Sequence, residues 1–263
     1  MISARNAHDR RPMDLQEYEA LQPSMHVSFG DAKLVFATPN RHAAWRVDTA
    51  FSKEPDTIEW IGGFAAGEVL VDVGANMGLY SIMAASRGVR VYAFEPESQN
   101  YALLNRNIYL NGMGELVSAY GAALSDRSAF STLFLSAFTA AASCHSVGEA
   151  VDFRARPMQA AFTQGCYSTT LDELVATGAL PVPHHLKIDV DGIEHKVLAG
   201  AARSLRDPRM KSVLVEVNTA LEDHWQLIDH LLELGFDYSR DQVKASLRKD
   251  GMFEGVGNHV FRR

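Results

Sequence analysis

From Glu68 onward the chain alternates short apolar runs with stretches of helical period. Val69-Leu-Val-Asp-Val73 reads as a buried strand, and a glycine turn leads from it into a helix that runs to about Ser86. Val89 to Phe94 is a second strand. Pro96 then opens a helix with Tyr101, Leu104 and Ile108 at helical spacing, stopped by Asn111-Gly112. Leu116–Tyr120, His185–Val190 and Ser212–Val217 read as further strands. Glu194, Val197, Leu198, Ala201 and Leu205 mark one face of the helix after His185–Val190. Leu221, Trp225, Ile228 and Leu232 mark the next helix, which ends at Gly235. Thr170–Glu173 and Thr219–Glu222 have the spacing of capping boxes. Strands near 236–239 and 256–262 close the chain.

The region before this alternation reads differently. Residues 1 to about 24 carry little periodicity and are expected to be loosely draped. His26–Phe36 predicts a hairpin turning at Gly30-Asp31, and residues 40–63 predict helices, with Pro55 in the first turn of the second. The expected organisation is an N-terminal extension over 1–63 and a main domain over 64–263, with an irregular insertion at about 127–168. That insertion mixes a strand near Phe130–Leu135 with an alanine-rich stretch and a polar segment ending near Gly165.

Strand alternating with helix predicts an α/β fold of the Rossmann-like kind: a mostly parallel sheet, right-handed crossovers and helices on both faces. Ligands of such sheets bind beyond the carboxyl ends of the strands. This rule singles out Asp72–Gly78, Glu95, Gly121–Asp126, Asp189–His195 and Glu216–Asn218. His184 and His185 begin a strand, at the wrong end for chemistry.

Composition narrows the partners. The 263 residues carry a net charge of −7, which disfavours a phosphate backbone as partner, so no nucleic acid is expected. Arg10-Arg11 and Arg262-Arg263 read as solvated ends. No run of eighteen apolar residues occurs and Met1–Arg11 is polar, so neither a membrane span nor a secretory leader is expected. Cys144 and Cys166 read as free thiols of a cytoplasmic protein. The N-terminal extension is free to cover the site or to pair with a second subunit as a homo-oligomer.

Gly74 and Gly78 bracket the first strand-to-helix turn, where glycine permits positive φ and a close approach to the backbone. A dinucleotide fingerprint needs a further glycine where Asn76 stands, to make room for a pyrophosphate. Asn76 suits an amino-acid moiety instead. S-adenosylmethionine carries such a moiety and no pyrophosphate, and Asp72 is placed toward that end of it. Glu95 ends the second strand, where a carboxylate accepts hydrogen bonds from ribose hydroxyls.

Val71-Asp-Val-Gly-Ala-Asn-Met-Gly-Leu-Tyr-Ser81, Ala93-Phe-Glu-Pro96, Thr170-Leu-Asp-Glu173 and Leu186-Lys-Ile-Asp-Val-Asp-Gly-Ile-Glu194 together resemble the FkbM-type methyltransferases. The resemblance runs from about Glu68 to Phe236. It implies a class I methyltransferase fold with a seven-stranded sheet, S-adenosylmethionine as donor, and commonly a hydroxyl oxygen as acceptor. By that resemblance Asp72, Gly74, Asn76, Gly78 and Glu95 belong to the cofactor pocket, and Ala75, Tyr80 and Pro96 beside them are expected to bind the cofactor with them. Asp191 stands where the family typically has glutamate, a departure that keeps the charge.

Methyl transfer to a sugar or metabolite hydroxyl needs alignment and removal of a proton. Lys187, Asp189, Asp191, Glu194 and His195 cluster at one strand end. Asp189, His195 and Lys187 are the expected catalytic residues, while Asp191 and Glu194 also suit helix N-terminal amides. Asp189, Glu216 and Asn218 offer oxygen ligands for Mg²⁺ or Ca²⁺. Phe138, His145, Phe153, Arg154 and Arg156 are candidates for an acceptor pocket within the insertion, or for simple packing under it. Two other readings stay open: a nicotinamide-dependent reductase and a non-catalytic S-adenosylmethionine-binding module.

Overall fold

The computed structural model describes residues 13–263, so Arg10-Arg11 and the first part of the N-terminal tail lie outside the described residues. Two short units come first, a helix α1 (Leu15–Ala20) and a hairpin of β1 (Ser24–Phe29) and β2 (Ala32–Ala37). The helix was not expected. Asp14 and Glu17 close a reciprocal capping box at its start, a signal carried by polar residues with no apolar period behind it. Helices α2 (Arg41–Asp48), α3 (Ala50–Lys53) and α4 (Pro55–Gly62) follow, the last with its proline in the first turn.

The main unit then alternates β3 (Val69–Val73), α5 (Leu79–Ala85), β4 (Arg90–Phe94), α6 (Ser98–Leu110) and β5 (Val117–Tyr120). Strand β6 (Ala123–Leu124) precedes the region expected to be irregular, which contributes β7 (Ala129–Leu135), β8 (Ser146–Val147) and β9 (Phe162–Thr169), and the four form a separate sheet. Strand β9, Phe-Thr-Gln-Gly-Cys-Tyr-Ser-Thr, is mostly polar and interrupted by Gly165, which hid it from an apolar pattern. Helix α7 (Leu171–Ala176), β10 (His185–Ile188), α8 (Glu194–Ala199), β11 (Ser212–Asn218), α9 (Glu222–Glu233), β12 (Asp237–Tyr238), α10 (Arg240–Ser246) and β13 (Val256–Arg262) complete the order.

The seven-stranded sheet has the order β12-β13-β11-β10-β3-β4-β5. Strands β11, β10, β3, β4 and β5 run parallel, β13 is antiparallel to β11, and β12, antiparallel to β13, runs in the same direction as the five. Every residue of β3 and β11 is buried, as expected of strands covered on both faces. Alternate residues feed two cores. Leu70, Val91, Ala93 and Leu214 face one core together with Val27, Phe36, Trp60 and Ile82, so the hairpin and α2–α4 share it. Val71, Val73, Leu186, Ile188 and Val215 face the other, under Val197, Leu198, Leu227 and Leu231.

Two local expectations are corrected. Helix α9 buries His224, Leu227, Ile228 and Leu231, whereas Trp225 and Leu232 are exposed. The apolar period pointed one residue off because the buried face contains a histidine. Thr219 does not cap α9: its hydroxyl bonds the Gly255 carbonyl, and the cap position is Leu221. Thr170 does cap α7, accepting the Glu173 amide at 3.0 Å. Among the described residues no helix is long and apolar enough to cross a membrane.

Candidate active site

Strands β3 and β10 are neighbours whose helices leave on opposite sides of the sheet, which is where an open α/β sheet forms its crevice. Their ends touch. Gly74 has φ of 79°, and a Cβ there would run into the carbonyl oxygen of Asp189. Gly78, with φ of 81°, is crowded by the Leu104 side chain. The positive φ is as expected at both positions, and protein packing is a second reason for glycine beside a ligand's close approach.

A cavity of about 420 Å³ opens at this crevice. This volume is within the ordinary range for small-molecule sites. One end is walled by Phe94, Glu95, Pro96, Leu124 and Leu133, the other by Asp189, Asp191, Glu216, Arg248 and Phe253. A smaller cavity of about 40 Å³ lies beside the glycine turn and shares Arg46, Lys53, Gly74, Asn76 and Asp189 with the first. It adds Glu54, Ala75, Met77, Tyr80 and Lys187.

At the first end, Glu95 ties strand to turn. Its carboxylate accepts the Asn76 amide at 2.8 Å and the Glu97 amide at 2.9 Å. Burial pushes its carboxyl up to about 7, against those two amide bonds, and the nearby Glu97 charge adds to the rise. Asn76 sits at a φ of 49°, and its side chain donates to the Ala142 carbonyl at 2.7 Å while accepting the Met77 amide at 2.9 Å. The asparagine is thus spent on the protein.

That contact belongs to a strap. Residues 140–144 of the insertion cross the cavity, held by Asn40 on the Ala140 carbonyl (2.9 Å), Arg46 on the Ala141 carbonyl (2.6 Å) and Asn100 on the Ala142 carbonyl (3.1 Å). The Cys144 amide donates to Asp191 at 2.7 Å. Ala141 and Cys144 both adopt positive φ, a strained state that these surrounding bonds maintain. His145 follows on the cavity wall. The Ser136 amide donates to its Nδ1 at 3.3 Å, which places its hydrogen on Nε2, a buried atom with no hydrogen-bond partner among the described residues.

At the other end, Lys187 lies buried between Asp72 (3.5 Å) and Asp189 (3.3 Å), with its ammonium 5.5 Å from the centre of the Tyr80 ring. Burial opposes its charge, but Asp189, Asp72 and Glu54 outweigh that and raise its pKa further. It remains an ammonium, so its place among the expected catalytic residues is that of a charge partner to Asp189 and Asp72. Asp72 accepts the Ser81 hydroxyl at 2.6 Å and lines neither cavity. Its reach toward a ligand therefore runs through Lys187. Glu54, also buried, is held down at about 2: burial acts to raise it, and Lys53 and Lys187 prevail.

The metal expectation is corrected in composition. Asn218 donates its amide to the Phe153 carbonyl at 3.0 Å and accepts the Ala220 amide at 3.0 Å, so it does not join the group. Asp191 takes the third place, and the carboxylates of Asp189, Asp191 and Glu216 lie within 4.8 Å of one another. Burial and then the Asp189 charge push Asp191 up to about 6. The same two causes raise Glu216, which Arg248 contacts at 3.0 Å. Three such groups cannot all be charged together at low cost.

Of the remaining candidates, His195 lines neither cavity, so the structure does not bring it to the site. Phe153 instead packs on Phe253, with centroids 4.5 Å apart. Phe138, exposed, pairs with Phe162 outside the cavity. Arg154 and Arg156 are also absent from the wall. Sequence reasoning missed Trp45, Arg46, Lys53, Glu54, Arg248 and Phe253, because no local pattern reports a partner so distant in sequence. His184 and His185 are structural, as expected: His185 bridges Ser212 (2.7 Å) and Glu68 (2.9 Å) at the far end of the sheet, and His184 accepts the Val69 amide.

Residues 72–238 match the model of the methyltransferase FkbM domain. A similar curated protein is the hexuronic acid methyltransferase AglP of Haloferax volcanii, 27% identical over 158 residues, which are 59% of this chain and 58% of that relative. Among solved structures, a precorrin-6y C5,15-methyltransferase from Geobacter metallireducens aligns over 87% of this chain and 93% of its own, at 14% identity and a TM-score of 0.49. A putative rRNA methylase from Clostridium thermocellum aligns over 79% and 93%, at 8% identity and a TM-score of 0.46. With its matched segment containing the glycine turn, Glu95, the Asp189–Asp191 loop and Glu216, the chain belongs to the FkbM methyltransferase domain family.

Proposed function

We propose that this chain transfers the methyl group of S-adenosylmethionine to a hydroxyl oxygen on a sugar unit or a small hydroxylated metabolite. The observation that carries this reading is one continuous cavity joining the Glu95 end to the Asp189, Asp191 and Glu216 end, beside a smaller cavity that mixes both signs of charge.

The donor set suits the cofactor. Glu95 offers acceptors to ribose hydroxyls, and the unpartnered Nε2–H of His145 offers a donor to an adenine nitrogen. Around the small cavity, Arg46 and Lys53 suit a carboxylate, and Glu54 suits an ammonium. S-adenosylmethionine supplies a methyl group already activated on a sulfonium. The protein must then hold the acceptor in line and take its proton. Asp189, paired with Lys187 at 3.3 Å, orients the acceptor. Asp191, raised to about 6 and on the cavity wall, receives the hydroxyl proton as the new O–C bond forms and the S–C bond breaks. Arg248 and Lys187 balance the remaining negative charge.

A glycan acceptor draws support from the named activity of the Haloferax relative and from Trp45, a half-exposed indole on the cavity wall. The test is a methyl-transfer screen with methyl-labelled cofactor across nucleotide hexoses, hexuronic acids, glycans and hydroxylated metabolites, read by mass spectrometry. A product carrying one labelled methyl as an alkali-stable ether is expected. An alkali-labile methyl ester contradicts the hydroxyl assignment, and no labelled product contradicts the acceptor class.

A further inference from the structure

The loop that carries Asp189 and Asp191 is held by a pair of buried groups that the proposed chemistry does not use. Asp191 adopts a φ of 59° and Gly192 one of 121°, so the chain leaves β10 through two residues in uncommon conformations. Glu194, at the start of α8 and only 1% exposed, folds its carboxylate back over this loop. It accepts the Val190 amide at 3.2 Å and the Gly192 amide at 3.0 Å, the two amides that flank Asp191.

Behind Glu194 stands His224, on the buried face of α9 and 2% exposed. Its Nδ1 accepts the Asn218 amide at 2.9 Å, so a neutral ring carries its hydrogen on Nε2. That atom lies 3.2 Å from the Glu194 carboxylate, an ion-pair distance without hydrogen-bond alignment, and has no other partner among the described residues. Asn218 ends β11, two residues after Glu216. One chain of contacts therefore runs from the loop of Asp191, through Glu194 and His224, to the end of the strand that carries Glu216. Neither Glu194 nor His224 lines either cavity.

We propose that Glu194 and His224 are a positioning pair for methyl transfer, fixing the Asp189–Asp191 loop against the Glu216 strand end. The proposal rests on the methyl-transfer reading above. The pair acts through the carboxylates and not on the cofactor, whose proposed contacts lie at the glycine turn, Glu95 and the N-terminal helices. Replacing the carboxylate by an amide puts an N–H where either the loop amides or His224 also present an N–H. Replacing His224 by leucine removes the polar N–H that faces Glu194, whereas glutamine at that position still presents one.

The test uses the full chain with Glu194→Gln, His224→Leu and His224→Gln, and S-adenosylmethionine as the binding probe. The first two variants should bind the cofactor within about twofold of the parent and lose roughly tenfold or more in kcat on an acceptor from the screen. His224→Gln should recover most of that loss. Amide hydrogen exchange of residues 190–192 should speed up in the first two variants and stay protected in His224→Gln. Unchanged kcat in Glu194→Gln and His224→Leu overturns the proposal, as does a loss of activity matched by an equal loss of cofactor binding. If the parent methylates nothing in the screen, the functional reading fails separately and exchange decides: protection of 190–192 unchanged in all three variants overturns the positioning pair, and the expected pattern supports it.

Discussion

The backbone amide of Asn76 donates to the carboxylate of Glu95 at 2.8 Å, so the glycine turn after β3 and the acid at the end of β4 form one hydrogen-bonded unit. A ligand at Glu95 meets a group whose ionisation is already in play, because burial holds that carboxyl at about 7.

The first prediction follows from that value. If ribose hydroxyls donate to the ionised carboxylate, cofactor binding favours the deprotonated form, and affinity tightens as pH rises through about 7. Glu95→Gln should weaken binding roughly ten- to hundredfold, the scale of hydrogen bonds to a charged group, and flatten the pH dependence. Calorimetric titrations at roughly pH 6 and 8 check both; a parent affinity that does not change with pH contradicts the role given to Glu95.

The N-terminal helices should be part of the site. Arg46 meets the strap at Ala141 and lines both cavities. Arg46→Ala should raise the dissociation constant for S-adenosylmethionine by roughly tenfold, from the loss of a charge-assisted contact. Protection of the strap amides from hydrogen exchange should fall with it. An unchanged dissociation constant removes Arg46 from the cofactor site.

Gly74→Ala places a methyl group against the Asp189 carbonyl at a positive φ. The cost should be about 2–4 kcal/mol from backbone strain and overpacking together. Thermal unfolding should show it, with cofactor binding lost in parallel. Gly114→Ala, where nothing lies within 4 Å, is the control and should change neither.

At the opposite end of the sheet, burial holds the His185 imidazole down at about 4, against the pull of Glu68. Its unfolded value is higher, near 6.5, so the unfolded chain takes up the proton first as pH falls. Stability from this group is full above about 6.5 and drops toward pH 4 by on the order of 3 kcal/mol. His185→Gln should show a shallower loss of melting temperature across that window. An equal slope in the two proteins contradicts the assignment.

Metal removal gives a further check. Lys187 and Arg248 already contact Asp189 and Glu216, at 3.3 and 3.0 Å. Methyl transfer should therefore persist in excess chelator. Activity that disappears with chelator and returns with Mg²⁺ would place an ion among the three carboxylates.

The parallel sheet was legible because each strand is a contiguous apolar run, as in Val69–Val73 and Ser212–Val217, and each turn beyond it carries its own glycine or acid. Those same runs located Asp72, Glu95, Asp189 and Glu216 at strand ends. What the sequence could not display were long-range polar partners. Asn76 was read as a group for the ligand, yet its side chain meets Ala142, 66 positions away. Asn218 was read as a ligand and serves Phe153 and Ala220. His224 disguised the buried face of α9, because apolar periodicity cannot register a buried polar pair. The strap had no local signature, and the helices read over residues 40–63 gave no sign that Arg46, Lys53 and Glu54 face the site.

The central claim is that the cavity at the β3–β10 crevice is built for S-adenosylmethionine. Calorimetric titration of the full chain with S-adenosylmethionine and, in parallel, with NADH tests it most directly. The account predicts saturable binding of S-adenosylmethionine with one site per chain, weakened in Glu95→Gln, and no binding of NADH. Saturable NADH binding without S-adenosylmethionine binding would contradict it.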